Sequence, residues 1–177
     1  MKKTILVIAV LLASTVMYAQ SGSSSVQKFD LSVGIDGGLP LGNLKETSKF
    51  GIGGTAKLGY NINDNIAVTF QTGYISFAGK SEEWEGEKYK WPSLNFIPFK
   101  FGGRYTFASG FYAEPQLGFS RLGAKGEGGA TGFTYAINAG YRMTPGVDVS
   151  ARYEGVSKEG TVSFIGIRAA YSFGLGK

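Results

Sequence analysis

Nine ionisable residues sit in short segments where bulky and polar side chains alternate: Lys57, Lys100, Arg104, Glu114, Arg142, Asp148, Arg152, Glu154 and Arg168. With Asp30 and Asp36 they place six cations and five anions on one phase of a period-two pattern. Charges of both signs on one sheet face can line a narrow passage and select ions, or they can pair and fill a tight space. An unpaired charge held away from water costs several kcal/mol, so near-cancellation favours pairing. A second cluster is Ser81-Glu82-Glu83-Trp84-Glu85-Gly86-Glu87-Lys88, in which four carboxylates surround one Trp. Oxygen ligands suit Ca²⁺ or Mg²⁺, and Glu82, Glu83, Trp84, Glu85 and Glu87 could also meet a cationic partner. The spacing fits no EF-hand loop, and a solvated contact loop is the expectation.

Other chemistry is limited by what the chain lacks. The 177 residues include no His and no Cys, which removes Ser–His–Asp triads, imidazole bases, thiolate nucleophiles, disulfides and zinc-thiolate sites. No Ser or Tyr is spaced with a Lys so as to replace a triad. A non-enzymatic protein with no catalytic residue, no cofactor and no metal is expected.

The elements that would position the charges are strands. With 28 Gly and 5 Pro, about one residue in five is Gly or Pro, a profile of many strands and turns. Eight alternating segments can be threaded near 28–39, 50–61, 66–76, 94–107, 111–120, 132–142, 147–154 and 162–173. One phase is bulky throughout, as in Val33, Ile35, Val68, Phe70, Phe99, Phe101, Leu117, Phe119, Ile165 and Ile167. The other is small and polar, rich in Gly and holding the charges. An eight-stranded barrel has an interior only just wide enough for side chains, so the bulky phase must face outward. A soluble exterior would carry Lys and Glu instead, and lipid is therefore the expected solvent for that face. The expected fold is all-β, an eight-stranded antiparallel up-and-down transmembrane barrel over 28–177 preceded by a cleavable signal peptide.

Aromatic residues gather at the strand ends. Phe29, Tyr60, Tyr105, Phe107, Phe111, Tyr141, Tyr171 and Phe173 fall at one rim, and Phe50, Tyr74, Phe119, Phe133 and Tyr153 at the other, as interfacial girdles require. Connections alternate between tight turns at 61–65, 108–110 and 143–146 and longer loops at 40–49, 78–90, 121–131 and 155–160. Short periplasmic turns and long outer loops would put both termini in the periplasm. Pro98 and Pro115 each remove a ladder donor, which predicts a bulge or a local gap.

The start of the chain is an address. Lys2 and Lys3 precede the apolar run Thr4 to Val16, and Met17-Tyr18-Ala19 offers a cleavage site, so residues 1–19 read as a signal peptide and 20–27 as a flexible leader. Cleavage would lower the net charge from +5 to +3 by removing two lysines, too weak a bias for nucleic acid.

Ile97-Pro98-Phe99-Lys100-Phe101, Phe111-Tyr112-Ala113-Glu114-Pro115-Gln116-Leu117-Gly118, Tyr153-Glu154-Gly155 and the closing Gly166-Ile167-Arg168-Ala169-Ala170-Tyr171-Ser172-Phe173 resemble the small eight-stranded outer-membrane barrels of the OmpA/OmpX type. The chain is especially similar to the outer-membrane β-barrel domain family that includes PorT-like proteins. The resemblance implies a Gram-negative cell envelope, insertion by the barrel-insertion machinery, and contact with outer-membrane lipid and lipopolysaccharide. It also implies a monomer with a structural, membrane-integrity or surface-interaction role through four outer loops, with a possible protein partner there. A narrow porin-like pore and a part in protein secretion are the alternatives.

Overall fold

The computed structural model describes residues 28–84, 87–107, 110–124 and 129–175. The expected signal peptide and leader lie outside the described residues, as do Glu85 and the side chains of Glu82, Glu83, Trp84 and Glu87.

Ten strands and one short helix follow in chain order. They are β1 (Phe29–Leu41), α1 (Asn43–Thr47), β2 (Ser48–Asn61), β3 (Ile66–Gly79), β4 (Ser81–Trp84), β5 (Glu87–Lys90), β6 (Leu94–Thr106), β7 (Phe111–Ala124), β8 (Ala130–Met143), β9 (Val147–Ser157) and β10 (Thr161–Leu175). Eight of them close into one antiparallel barrel in the order β1-β10-β9-β8-β7-β6-β3-β2, while β4 and β5 form a separate two-stranded sheet. Closure is made by β1 on β10, with Phe29 opposite Leu175 and Leu41 opposite Ser163. Every strand alternates, because successive Cβ atoms point to opposite faces. Along β1, for example, Asp30, Ser32, Asp36 and Gly38 are buried inside while Phe29, Val33, Ile35 and Leu39 are exposed outside. Ile35, Ile52 and Phe101 are more than 60% exposed, a cost that only an apolar solvent removes.

The tight turns follow from their residues. Between β2 and β3, the Asn63 carboxamide oxygen accepts from the backbone N–H groups of Asn65 (2.9 Å) and Ile66 (2.8 Å), an Asx turn. Between β8 and β9, Gly146 sits at φ 137°, in a region that side chains disfavour, and donates its N–H to Met143 O at 2.8 Å.

At the opposite end the strands run further than the sequence pattern indicates. β1 continues to Leu41, β3 to Gly79, β7 to Ala124 and β9 to Ser157, so much of the expected loops 40–49, 78–90, 121–131 and 155–160 is strand. The segment read as a solvated acidic loop has the backbone of a hairpin, with Ser81 opposite Lys90 and Trp84 opposite Glu87. Residues 43–47 form the helix α1 after Gly42 turns the chain at φ 50°. Hydrogen-bonding neighbours already in register extend a ladder outward whatever the polarity of the side chains, which is why composition underestimates these lengths. A strand of 13 residues tilted near 40° spans about 34 Å, more than the roughly 25 Å lipid-facing band, so the surplus projects beyond it.

Both prolines produce gaps and neither produces a bulge. The β3–β6 ladder stops at Thr72 opposite Phe99 and resumes at Ile75 opposite Phe96 in unchanged register, with Pro98 between. The β6–β7 ladder does the same on either side of Pro115, between Gly102 opposite Gln116 and Tyr105 opposite Ala113. The register shift recorded in the described ladders lies elsewhere, between Ser48 and Gly51 of β2 against β3.

Candidate functional site

Alternation turns all nine sequence-selected charged residues, together with Asp30 and Asp36, toward the lumen. Ten of these eleven are buried; Arg142 keeps 29% of its side chain exposed, near the end where the chain termini lie. There, Asp30 of β1 receives Arg104 Nη2 of β6 at 3.0 Å and Arg142 Nη2 of β8 at 3.2 Å. Arg142 also approaches Asp148 (3.7 Å), and the Tyr112 hydroxyl donates to the same carboxylate at 2.7 Å.

Two further levels lie above. Lys57 of β2 reaches Glu114 of β7 at 3.0 Å, and Glu114 also accepts from Thr69 (3.0 Å) and Gln116 (2.5 Å). Next, Lys100 of β6 contacts Glu154 of β9 at 2.6 Å, and Arg152 Nε donates to the same carboxylate at 2.8 Å. Arg152 Nη1 also pairs with Asp36, which accepts from Thr55 at 2.6 Å. Arg168 donates to the Thr55 hydroxyl (2.8 Å) and to the Ser32 hydroxyl (3.0 Å), with Asp36 at 4.0 Å. Every lumenal cation thus has an acidic neighbour. The bridges Arg104–Asp30, Arg142–Asp30, Lys57–Glu114 and Lys100–Glu154 join strands three places apart in the barrel, so they tie opposite walls across the lumen.

The lumen changes character toward the loop end. Phe77 of β3, Phe96 of β6 and Phe164 of β10 are fully buried and meet edge to face, with centroids 5.1 to 5.8 Å apart. Ile75 and Val156 surround them, and Leu44 of α1 is buried in the same cluster. The junction with the polar lumen is Arg152, whose guanidinium lies 5.5 Å from the Phe164 ring centre. This apolar plug is absent from the residues selected by sequence. Its signal was present: in Ile75-Ser76-Phe77, Leu94-Asn95-Phe96-Ile97 and Val162-Ser163-Phe164-Ile165 the inward phase itself turns apolar. Tyr112, Gln71, Gln116 and Asn138 were also missed, and each is buried within the polar levels.

Glycines make room for these side chains. A Cβ on Gly38 or Gly51 would lie 2.7 Å from the Phe77 ring, and one on Gly140 would lie 2.5 Å from the Tyr112 hydroxyl. Gly140→Val is expected to displace Tyr112 from Asp148 and destabilise the barrel by about 1–3 kcal/mol. Gly103→Ala, with nothing within 4 Å of its Cβ, is expected to be neutral. Urea unfolding of both variants in detergent checks this contrast, and equal effects would refute the packing role of Gly140.

The aromatic residues chosen as a girdle stand on the outer face at the termini end. Phe29 packs on Tyr60 (5.1 Å), Tyr105 on Phe107 (5.0 Å), Phe111 on Tyr141 (4.5 Å) and Tyr171 on Phe173 (4.9 Å). Among the described residues, no group of three or more carboxylates is placed to hold a metal ion.

The profile of the family described as outer membrane protein beta-barrel domain matches residues 6–173. The chain is similar in structure to Neisserial surface protein A, with 19% identity over 88% of this chain and 100% of that one, and a TM-score of 0.59. It is also similar to Ail, the attachment invasion locus protein of Yersinia pestis, with 14% identity, coverage of 84% and 100%, and a TM-score of 0.57. The N-terminal barrel domain of Pseudomonas aeruginosa OprF gives 15% identity, coverage of 81% and 97%, and a TM-score of 0.51. At such identities the likeness is one of fold. A comparison with curated proteins finds no match. A closed barrel with its bulky face outward and a family match over almost the whole sequence agree: the chain belongs to the outer membrane protein β-barrel domain family and is an integral protein of the bacterial outer membrane.

Proposed function

We propose that this protein is a closed, non-enzymatic barrel with a structural and surface-contact role, its loop end outward and its termini in the periplasm. The plug of Phe77, Phe96 and Phe164 under α1 carries this reading. Three mutually packed rings with no exposed surface obstruct the lumen at this level, which supports a closed barrel, and the cross-lumen ion pairs brace the wall below them. Residues 1–19 act as the export signal and 20–27 as a leader, and the aromatic pairs at the termini end anchor that rim at headgroup depth. The hairpin β4–β5, with Glu82, Glu83, Trp84, Glu85 and Glu87, is a contact element for a cationic partner. Ail has been crystallised with the heparin analogue sucrose octasulfate, so a barrel of this fold can meet an external ligand, which supports a surface role here.

A narrow pore is the second reading. Arg104 Nη1, Arg152 Nη2 and Arg168 Nη1 are buried without a protein partner, and such groups call for water in the lumen. Single-channel recording separates the two. Residues 20–177, refolded and inserted into a planar bilayer, are expected to be electrically silent. Steady conductance that changes ion preference in Arg104→Ala or Arg152→Ala would overturn the closed reading in favour of the pore.

A further inference from the structure

We propose that the lumen beneath the aromatic plug binds one small inorganic anion, such as chloride, between the guanidinium groups of Arg152 and Arg168. Such a site exists in a silent barrel and in a conducting one alike. The charge balance, taken level by level, shows where an anion is needed. At the termini end Arg104 and Arg142 face Asp30 and Asp148, and the charges cancel. Toward the plug, Lys57, Lys100, Arg152 and Arg168 face only Glu114, Glu154 and Asp36 among the described residues, which leaves one positive charge in excess. All seven of these residues are buried.

The excess falls on Arg168. Lys57 has Glu114, Lys100 has Glu154, and Arg152 engages Asp36 through Oδ1. Arg168 comes only within 4.0 Å of Asp36 Oδ2, and its hydrogen bonds go to neutral groups: the Thr55 hydroxyl (2.8 Å), the Ser32 hydroxyl (3.0 Å) and the Ser32 carbonyl (3.2 Å). A buried cation without a close counter-charge is costly, and an anion removes that cost. Donors for it are present, since Arg168 Nη1 and Arg152 Nη2 have no partner among the described residues. The two guanidinium groups approach the same carboxylate, one at each oxygen, so these donors belong to one site. Register explains the size of the ligand. Asp36 stands opposite Arg168 and Gly53, Arg168 opposite Ser150, and Arg152 opposite Gly166, so the inward neighbours are small and the long arginine side chains take most of the space. A single ion suits such a site and a larger organic anion does not. The Phe164 ring, 5.5 Å from the Arg152 guanidinium, separates it from the loop end, and a low-dielectric wall strengthens the attraction. Water could accept from the same donors but would leave the charge in excess.

Refolded protein in a non-ionic detergent is unfolded with urea at constant pH and ionic strength while chloride replaces gluconate. If one ion leaves on unfolding, the folding equilibrium constant is expected to rise about tenfold for each tenfold increase in chloride above its Kd. Arg168→Gln removes the excess charge and should abolish that dependence. Asp36→Asn adds to the excess and should shift saturation to lower chloride, a direction that a purely structural role for Asp36 does not predict. Lys158→Ala, which removes an exposed pair, should keep the dependence of the parent protein. Crystals grown in bromide should show one anomalous peak within hydrogen-bonding distance of both Arg152 and Arg168. Heat-modifiable gel mobility verifies folding, and if Arg168→Gln does not fold, Asp36→Asn and the bromide position decide. Stability that ignores chloride, as water in the site would give, overturns the proposal. So does an unchanged dependence in folded Arg168→Gln, or bromide at the protein surface only.

Discussion

Phe77→Ala combined with Phe164→Ala is expected to turn a silent barrel into one that passes a small, steady current. Phe77 touches both other rings, and the two substitutions remove most of the apolar mass between α1 and the charged lumen. Each buried Phe→Ala change costs about 3–5 kcal/mol, so the variant is also expected to unfold at markedly lower urea. The cavity left behind adjoins Arg152, which already has an unpartnered Nη2, and water that enters there reaches the polar levels. By contrast, Arg104→Ala with the plug intact should stay silent, because its ion pair lies at the termini end. Phe96→Leu keeps apolar volume and is the control for stability without opening. A folded but silent double variant, judged by gel mobility, would show that the ion pairs alone close the lumen.

The other large effect is expected at Glu154. Its carboxylate faces both Lys100 and Arg152, all three groups buried. Glu154→Gln leaves Lys100 without a carboxylate while Arg152 keeps Asp36, and breaking one partner of a buried pair costs about 3–5 kcal/mol. Adding Lys100→Met should recover most of that loss, since an apolar side chain in the same volume needs no counter-charge. Lys158→Ala, which removes an exposed pair, should change stability by at most about 1 kcal/mol. Urea titrations of the four proteins test the series. If Glu154→Gln is as mild as Lys158→Ala, the cross-lumen bridge does not brace the barrel.

The functional consequences of these two results are linked. A lumen held by internal pairs and packed with rings at its loop end would be rigid, as the proposed scaffold role requires. It leaves the loop end and the hairpin β4–β5 as the places where contacts can differ from those of other barrels of the same fold.

Alternation by itself determined that Arg152 and Glu154 share one face while Val149 and Tyr153 share the other, because Cβ direction flips at every residue of an extended chain. Volume then determined which phase was outside, and charge balance indicated that the lumenal groups would pair. Which acid meets which base was decided only by the tertiary structure. Lys57 and Glu114 are 57 positions apart in the chain, and only the closed barrel, with its strand tilt and stagger, brings them level across the lumen. The apolar turn of the inward phase at Phe77, Phe96 and Phe164 was legible in the sequence, but that the three rings meet as one cluster was decided only by the closed barrel, which brings β3, β6 and β10 together. The bulge at Lys49 and Phe50 depends in the same way on pairing with β3. Periodicity is a property of one strand, whereas register, closure and the contents of the lumen are properties of eight strands at once.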